Sequence, residues 1–231
     1  LRQNLNEKLL PPSRDHWLGT DDRGRDVLSR IIWGARISMS VGFISVALSL
    51  FIGIVLGALA GYYGGKVDMI ILRLIEIWIC VPSFFLVITV MAFLDPSILN
   101  IMVVIGITSW PGVARLVRGE FLKQKAMDYT VAARASGLRD SRIIFRHILP
   151  NAISPVFVTA TFDIAGAILT ESALSGLGFG VPPPTASWGE ILKQSQGYVD
   201  FAWWLVTFPG IVICLTVVGF NLVGDGLRDA M

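Results

Sequence analysis

The sequence predicts an all-α protein: a polytopic bundle of about five membrane-spanning helices. Three observations predict it. The 231-residue chain is 54% hydrophobic. Only 16% of its residues are charged, against about 25% in an ordinary soluble domain. The charges are also absent from several long stretches, each meeting or approaching the roughly 20 residues that cross about 30 Å of hydrocarbon. In lipid the backbone has no water to bond, so such stretches must be helices or closed barrel strands. Barrel strands alternate in polarity, and these runs do not.

The elements follow in chain order. Residues 1–36 are mixed in charge, carry Pro11 and Pro12, and include the run Gly19 to Asp26; they form an extramembrane segment. Ile37 to Gly65 is uncharged and forms the first span. Gly61 to Arg73 is a Gly-rich connector. Ile77 to Leu94 and Pro96 to Ala114 are the second and third spans, joined around Asp95. A long polar segment runs from Arg115 to His147. Ile148 to Thr170, interrupted only by Asp163, is the fourth span, and Phe201 to Gly224 the fifth. Ser172 to Gly189 is also uncharged, but Pro182, Pro183 and Pro184 cannot lie inside a helix, and this run reads as a loop.

Orientation follows the Lys/Arg distribution. Arg115, Arg118, Lys123, Lys125, Arg134, Arg139, Arg142 and Arg146 crowd the segment 115–150, whereas the loop 173–200 holds only Lys193. The first therefore faces the cytoplasm and the second the exterior. The N-terminal segment is then external despite its seven Lys/Arg, among which five acids are interspersed.

Gly53, Gly57 and Gly61 recur every fourth residue and place a small-residue stripe on one helix face, where a neighbouring helix can approach closely. Pro82, Pro111, Pro155 and Pro209 fall in or at the ends of spans, where proline kinks a helix and frees a carbonyl. Asp163 is the one charge deep within a span and must face a bundle interior or water; it either lines a polar pathway and meets a substrate cation or pairs with a neighbouring subunit. Arg73 and Glu76 are three apart and can pair on one helix. Cys80 and Cys214 lie inside predicted spans and are expected to pack there as apolar residues. His16 and His147 lack nearby ligand partners in sequence, so no metal site is expected.

The segment 115–150 carries the most information. Asp128 can cap a short helix through Ser136, rich in alanine at 132, 133 and 135, and Gly137 suits the left-handed turn that ends it. Asp140 can cap a second helix, Ser141 to Leu149, after which Pro150 begins the next span. Such a charged helix–turn–helix fits a groove on a soluble partner, or is a solvated connector.

Ala132-Ala133, Gly137 and Ile148-Leu149-Pro150 resemble the cytoplasmic "EAA" coupling loop of ABC importer permeases, with Val131 where that family usually has a glutamate. His16-Trp17-Leu18-Gly19-Thr20-Asp21 through Gly24-Arg25-Asp26 is similar to the stretch before the second span of dipeptide/oligopeptide-type permeases. Glu171 through Gly180, with Pro182 to Pro184 and Ser187-Trp188-Gly189, is similar to their outer loop before the last span. The matches are spread over essentially the whole chain.

The resemblance implies a type I ABC importer permease with six spans, the first of them upstream of this sequence. It implies a heteromeric complex with a second homologous permease, two ATP-binding subunits and an extracytoplasmic substrate-binding protein, in the bacterial inner membrane. It places ATPase coupling on Asp128, Ala132, Ala133, Arg134, Gly137, Leu138, Leu149 and Pro150. The translocation pathway is expected near Asp163, Pro82 and Glu171. ATP and Mg would be bound by the partner subunits and would drive alternating access. Di- or oligopeptide is the expected cargo, with nickel or glutathione as alternatives. An ATPase-independent channel or ion-coupled carrier is the competing class, but it would need several intramembrane charges.

No enzyme activity is expected of the chain itself. Ala60 to Val67 approaches a phosphate-binding loop but lacks its first glycine and the Ser/Thr after Lys66. The basic segment lacks the context of a nucleic-acid site.

Overall fold

The computed structural model describes residues 3–182 and 184–230; Pro183, the middle of the proline triplet, lies outside them. Among the described residues the regular structure is helical, apart from one isolated bridge, Thr20 to Asp26. Four helices are long and apolar enough to cross a membrane.

α1 (Val27–Tyr63) is 37 residues long, about 55 Å at 1.5 Å per residue. It therefore outruns the hydrocarbon and begins ten residues before the expected span. Asp26 caps it, accepting the Ser29 backbone N–H at 2.8 Å. Gly64 and Gly65 take φ of +66° and +53°, a conformation open to glycine, and turn the chain directly into α2 (Gly65–Ile79).

The expected second span is thus corrected in two ways. The connector from Gly61 to Arg73 is helical except at the glycine turn. The span itself breaks between α2 and α3 (Ser83–Met91), which meet at 75°. Pro82 stands at the break: it has no N–H to donate to an α2 carbonyl. The predicted Arg73–Glu76 pair is present at 2.8 Å on the exposed face of α2. Cys80 and Cys214 are free but exposed, not packed inside the chain.

α4 (Ile98–Lys125) continues past the expected boundary at Ala114, with Pro111 inside it. The polar segment therefore starts as a helical extension. α5 (Asp128–Ala135), α6 (Asp140–Ile143), a π-turn at Ile144–Ile148 and α7 (Leu149–Ala152) follow. α8 (Ser154–Gly176) is shifted relative to the expected fourth span, so Ser172 to Gly176 are helical and not loop. α9 (Trp188–Ser195) follows, and α10 (Trp204–Ala230) is the last described helix, with Pro209 inside it.

The glycine stripe seats α1 on α4. A Cβ at Gly53 would stand 2.6 Å from Val113 Cβ, at Gly57 2.5 Å from the Ala114 carbonyl, and at Gly61 2.5 Å from Phe121 Cβ. Each contact lies about 60 residues along the chain, so the two helices run parallel and in step. Close approach of this kind replaces hydrophobic driving force in lipid. The Ser45 hydroxyl adds a bond to the Met102 carbonyl at 2.9 Å.

Candidate functional site

Three groupings sit at different heights on this frame. At the far end of α1, the segment 126–152 sets Ile143 and Ile148 on an apolar pad of Ala58, Tyr62, Val117 and Phe121. Ala133 is buried against it and Leu138 and Leu149 pack on it. α5 ends in a Schellman turn: Gly137 N–H bonds the Arg134 carbonyl at 3.0 Å and Leu138 N–H the Ala133 carbonyl at 3.3 Å. Gly137 has φ +73°, as its position predicts.

Two expectations about caps fail. Met127 occupies the N-cap of α5, and Asp128 sits in the first turn without a capping bond. There its charge faces the positive helix end. Arg139 occupies the N-cap of α6, because the Asp140 carboxylate is engaged elsewhere: it accepts the Tyr62 hydroxyl at 2.6 Å. The second short helix does not run unbroken to Leu149. Pro150 has no N–H, and the preceding turn widens to π geometry, with Leu149 N–H bonding the Ile144 carbonyl. Pro150 lies in α7, and the long helix starts at Ser154.

Tyr62 was not foreseen and joins the whole group. Besides Asp140, its ring carries the Arg134 guanidinium and the Lys125 ammonium, each 5.7 Å from the centroid. Lys125 Nζ also bonds the Tyr62 carbonyl at 2.6 Å. Arg118 pairs with Asp68 at 2.7 Å and ties α4 to α2. The outer face of α5 stays uncovered: Asp128, Tyr129, Val131, Ala132 and Arg134 are exposed.

Midway along the bundle, α1, α3, α4 and α8 enclose a cavity of about 200 Å³. Asp163 lines it together with Ser45, Ser49, Thr108 and Thr170. Ser83, next to Pro82, is also on its wall, so the break in α2–α3 and the intramembrane carboxylate meet here. Glu171, grouped with them in the sequence, does not line this cavity. It is fully buried one stretch further along α8, accepting the Ser175 and Ser187 hydroxyls at 2.8 Å each. It fastens the loop to the helix.

At the near end of α1, the N-terminal segment forms a collar. Asp21 is buried and accepts Arg25 Nε and Arg30 Nη1 at 2.7 Å each. Arg25 Nη2 reaches Gln194 on α9 at 2.8 Å. Trp204 Nε1 donates to the Thr20 carbonyl, and Trp188 Nε1 to the Ile31 carbonyl. His16 stands 3.2 Å from Asp26 and 3.4 Å from Glu7. Burial works against ionised Asp26, but the Ser29 and His16 hydrogen bonds outweigh it and hold its carboxyl below the ordinary value. No short sequence motif announces this collar; its bonds span up to 184 residues.

A parallel bundle seam, a broken span beside a polar cavity and an exposed short helix at one end give the architecture of a polytopic membrane protein. Residues 53–231 match the family described as binding-protein-dependent transport system inner membrane component. The chain belongs to that family and is a permease of the ABC importer type, a multi-pass protein of the cytoplasmic membrane. It is 45% identical over 228 residues to the dipeptide transport system permease protein DppC of Alkalihalophilus pseudofirmus, covering 99% of this chain and 75% of that one. It is 44% identical to the oligopeptide transport system permease protein OppC of Bacillus subtilis, with the same coverage. The glutathione transport system permease protein GsiD of Pectobacterium atrosepticum is 44% identical over 220 residues, 95% of this chain and 73% of its own length. The fold is similar to a chain of the inward-facing MetNI methionine ABC transporter, with TM-score 0.72 at 19% identity, covering 88% of this chain and 97% of that one.

Proposed function

We propose that this chain forms half of the translocation pathway of an ATP-driven importer of di- or oligopeptides. The observation that carries the reading is the uncovered outer face of α5, held on an apolar pad at one end of the long helices. Val131 and Tyr129 on that face are apolar or aromatic and exposed, and Arg134 beside them is basic. Such a face suits a groove on a soluble ATP-binding subunit. Asp128, Ala132, Ala133, Arg134, Gly137, Leu138, Leu149 and Pro150 would carry the coupling, with the side facing the ATPases cytoplasmic. The collar and the loop 173–200 lie together at the opposite end, where an extracytoplasmic substrate-binding protein would dock.

Cargo follows the relatives, whose names are those of dipeptide, oligopeptide and glutathione permeases; these favour a peptide over nickel. Family membership likewise disfavours a channel or ion-coupled carrier working alone. ATP and Mg would reside on two partner subunits, and a second permease would complete the pathway along Asp163 and Pro82. The Ala60 to Val67 stretch is the junction of two helices, not a strand-to-helix phosphate loop, which supports an ATP site outside this chain.

The test is reconstitution with the ATP-binding subunits, second permease and binding protein in liposomes. Peptide uptake should require ATP, and Gly137→Arg should release the ATP-binding subunits during copurification. Uptake that continues without ATP refutes the reading.

A further inference from the structure

The cavity around Asp163 has a donor–acceptor balance that selects its occupant. A hydroxyl has one hydrogen to give and two lone pairs to receive. Ser45, Thr108 and Thr170 give their hydrogens to the carbonyls of Met102, Val104 and Gly166, at 2.8–2.9 Å. What they present to the cavity is acceptor capacity alone. Asp163 adds a carboxylate, and it has no hydrogen-bond or ion-pair partner among the described residues. Ser49 is buried, and its Oγ has no hydrogen-bond partner among the described residues. Among the described residues the cavity walls carry no cationic side chain.

Asp163, Gly166 and Thr170 recur at three and four residues and so share one face of α8. A Cβ at Gly166 would meet nothing within 4 Å, which leaves the wall low beside the carboxylate. About 200 Å³ exceeds several times the roughly 30 Å³ of a liquid water molecule. It admits a charged chain end with some of its own water. An anion would find no donor but the Ser49 and Ser83 hydroxyls. An ammonium, with three N–H groups and no acceptor, meets a carboxylate and a ring of lone pairs.

We propose that this cavity is a subsite for the protonated amino terminus of a peptide in transit, with Asp163 as its counter-charge and Ser49 as a further acceptor. The proposal rests on the peptide-importer reading above. Phe84 and Val87 on the opposite wall offer an apolar surface to the first side chain. The subsite lies within one subunit, so the two permeases of a pair need not share it.

The experiment uses the assembled complex in proteoliposomes, with trialanine and N-acetyl-trialanine delivered on the same binding protein. That protein's own preference cancels when each variant is divided by wild type. Asp163→Asn should cut trialanine uptake about tenfold, the scale of one charge-assisted hydrogen bond. The acetylated peptide should change less than twofold. Ser49→Ala should give an intermediate loss for trialanine, and Asp163→Glu should restore most of the uptake. Equal loss for both peptides, or none for either, overturns the subsite. If replacing sodium and potassium by choline abolishes wild-type uptake but not that of Asp163→Asn, the occupant is an inorganic cation and the proposal fails. Wild-type uptake that does not need ATP refutes the importer reading instead.

Discussion

The two ends of α1 are built on different chemistry. At Val27 the helix enters a collar built on one buried ionic cluster: Asp21 between Arg25 and Arg30, with Gln194 reaching across from α9. At Tyr63 it ends under the surface helix α5, whose Arg134 lies over the Tyr62 ring and whose Ala133 sits on an apolar pad, while the Tyr62 hydroxyl holds Asp140 of α6. The collar uses its polar groups internally. The α5 end leaves that helix's outer face without a partner among the described residues. A buried ionic cluster resists displacement, because removing its shared carboxylate strands buried charge. A pinned surface helix can be gripped and moved by something else. The contrast separates a clamp from a handle.

The largest test removes the centre of the clamp. Asp21→Ala strips the buried Arg30 guanidinium of its ion-pair partner and leaves Arg25 only Asp22 at 3.8 Å; it should cost about 3–5 kcal/mol, read as a lower unfolding temperature of the purified protein in detergent. Tyr62→Phe removes the handle's hydroxyl and should cost only about 1 kcal/mol. Its larger effect should be on the stimulation of ATP hydrolysis by the loaded binding protein. If the two substitutions destabilise equally, the contrast between the ends is lost.

A finer test sits at the α1 cap. Asp26→Ala should cost about 1 kcal/mol. The Asp26 carboxyl titrates below its unfolded value, so its contribution is complete above the ordinary carboxylate range. That contribution fades as pH falls through the lowered folded value. Unfolding temperatures of wild type and Asp26→Ala should therefore converge in acid and stay apart near neutrality. A gap that persists at low pH would mean that the cap acts through shape and not through charge.

What the sequence made legible was what is local. Uncharged length announces spans because lipid removes every alternative for the backbone. Gly53, Gly57 and Gly61 announce a close helix contact because their spacing puts them on one face. Gly137 announces its turn because only that conformation closes both bonds. The broken span was hidden because Lys66, Asp68, Arg73 and Glu76 look like connector residues. Their charges are instead carried on a helix whose Asp68 is answered by Arg118, 50 residues away. Likewise Asp140 read as a cap until Tyr62 claimed it across 78 residues. Glu171 stood beside a loop motif, and its role depends on Ser187 folding back onto it. Periodicity carries no information about such pairs.

The interlock of α1 with α4 has a consequence for how the subunit can change shape. Two rods whose backbones touch at three successive turns cannot slide or roll against each other without collision. They must travel together as one stave. The freedom to open and shut then belongs to the pieces attached to that stave: the short arm α3 beyond the elbow at Pro82, and α10, which leans on α8 and α9 and is otherwise largely uncovered. A permease opening along those edges would keep its spine intact.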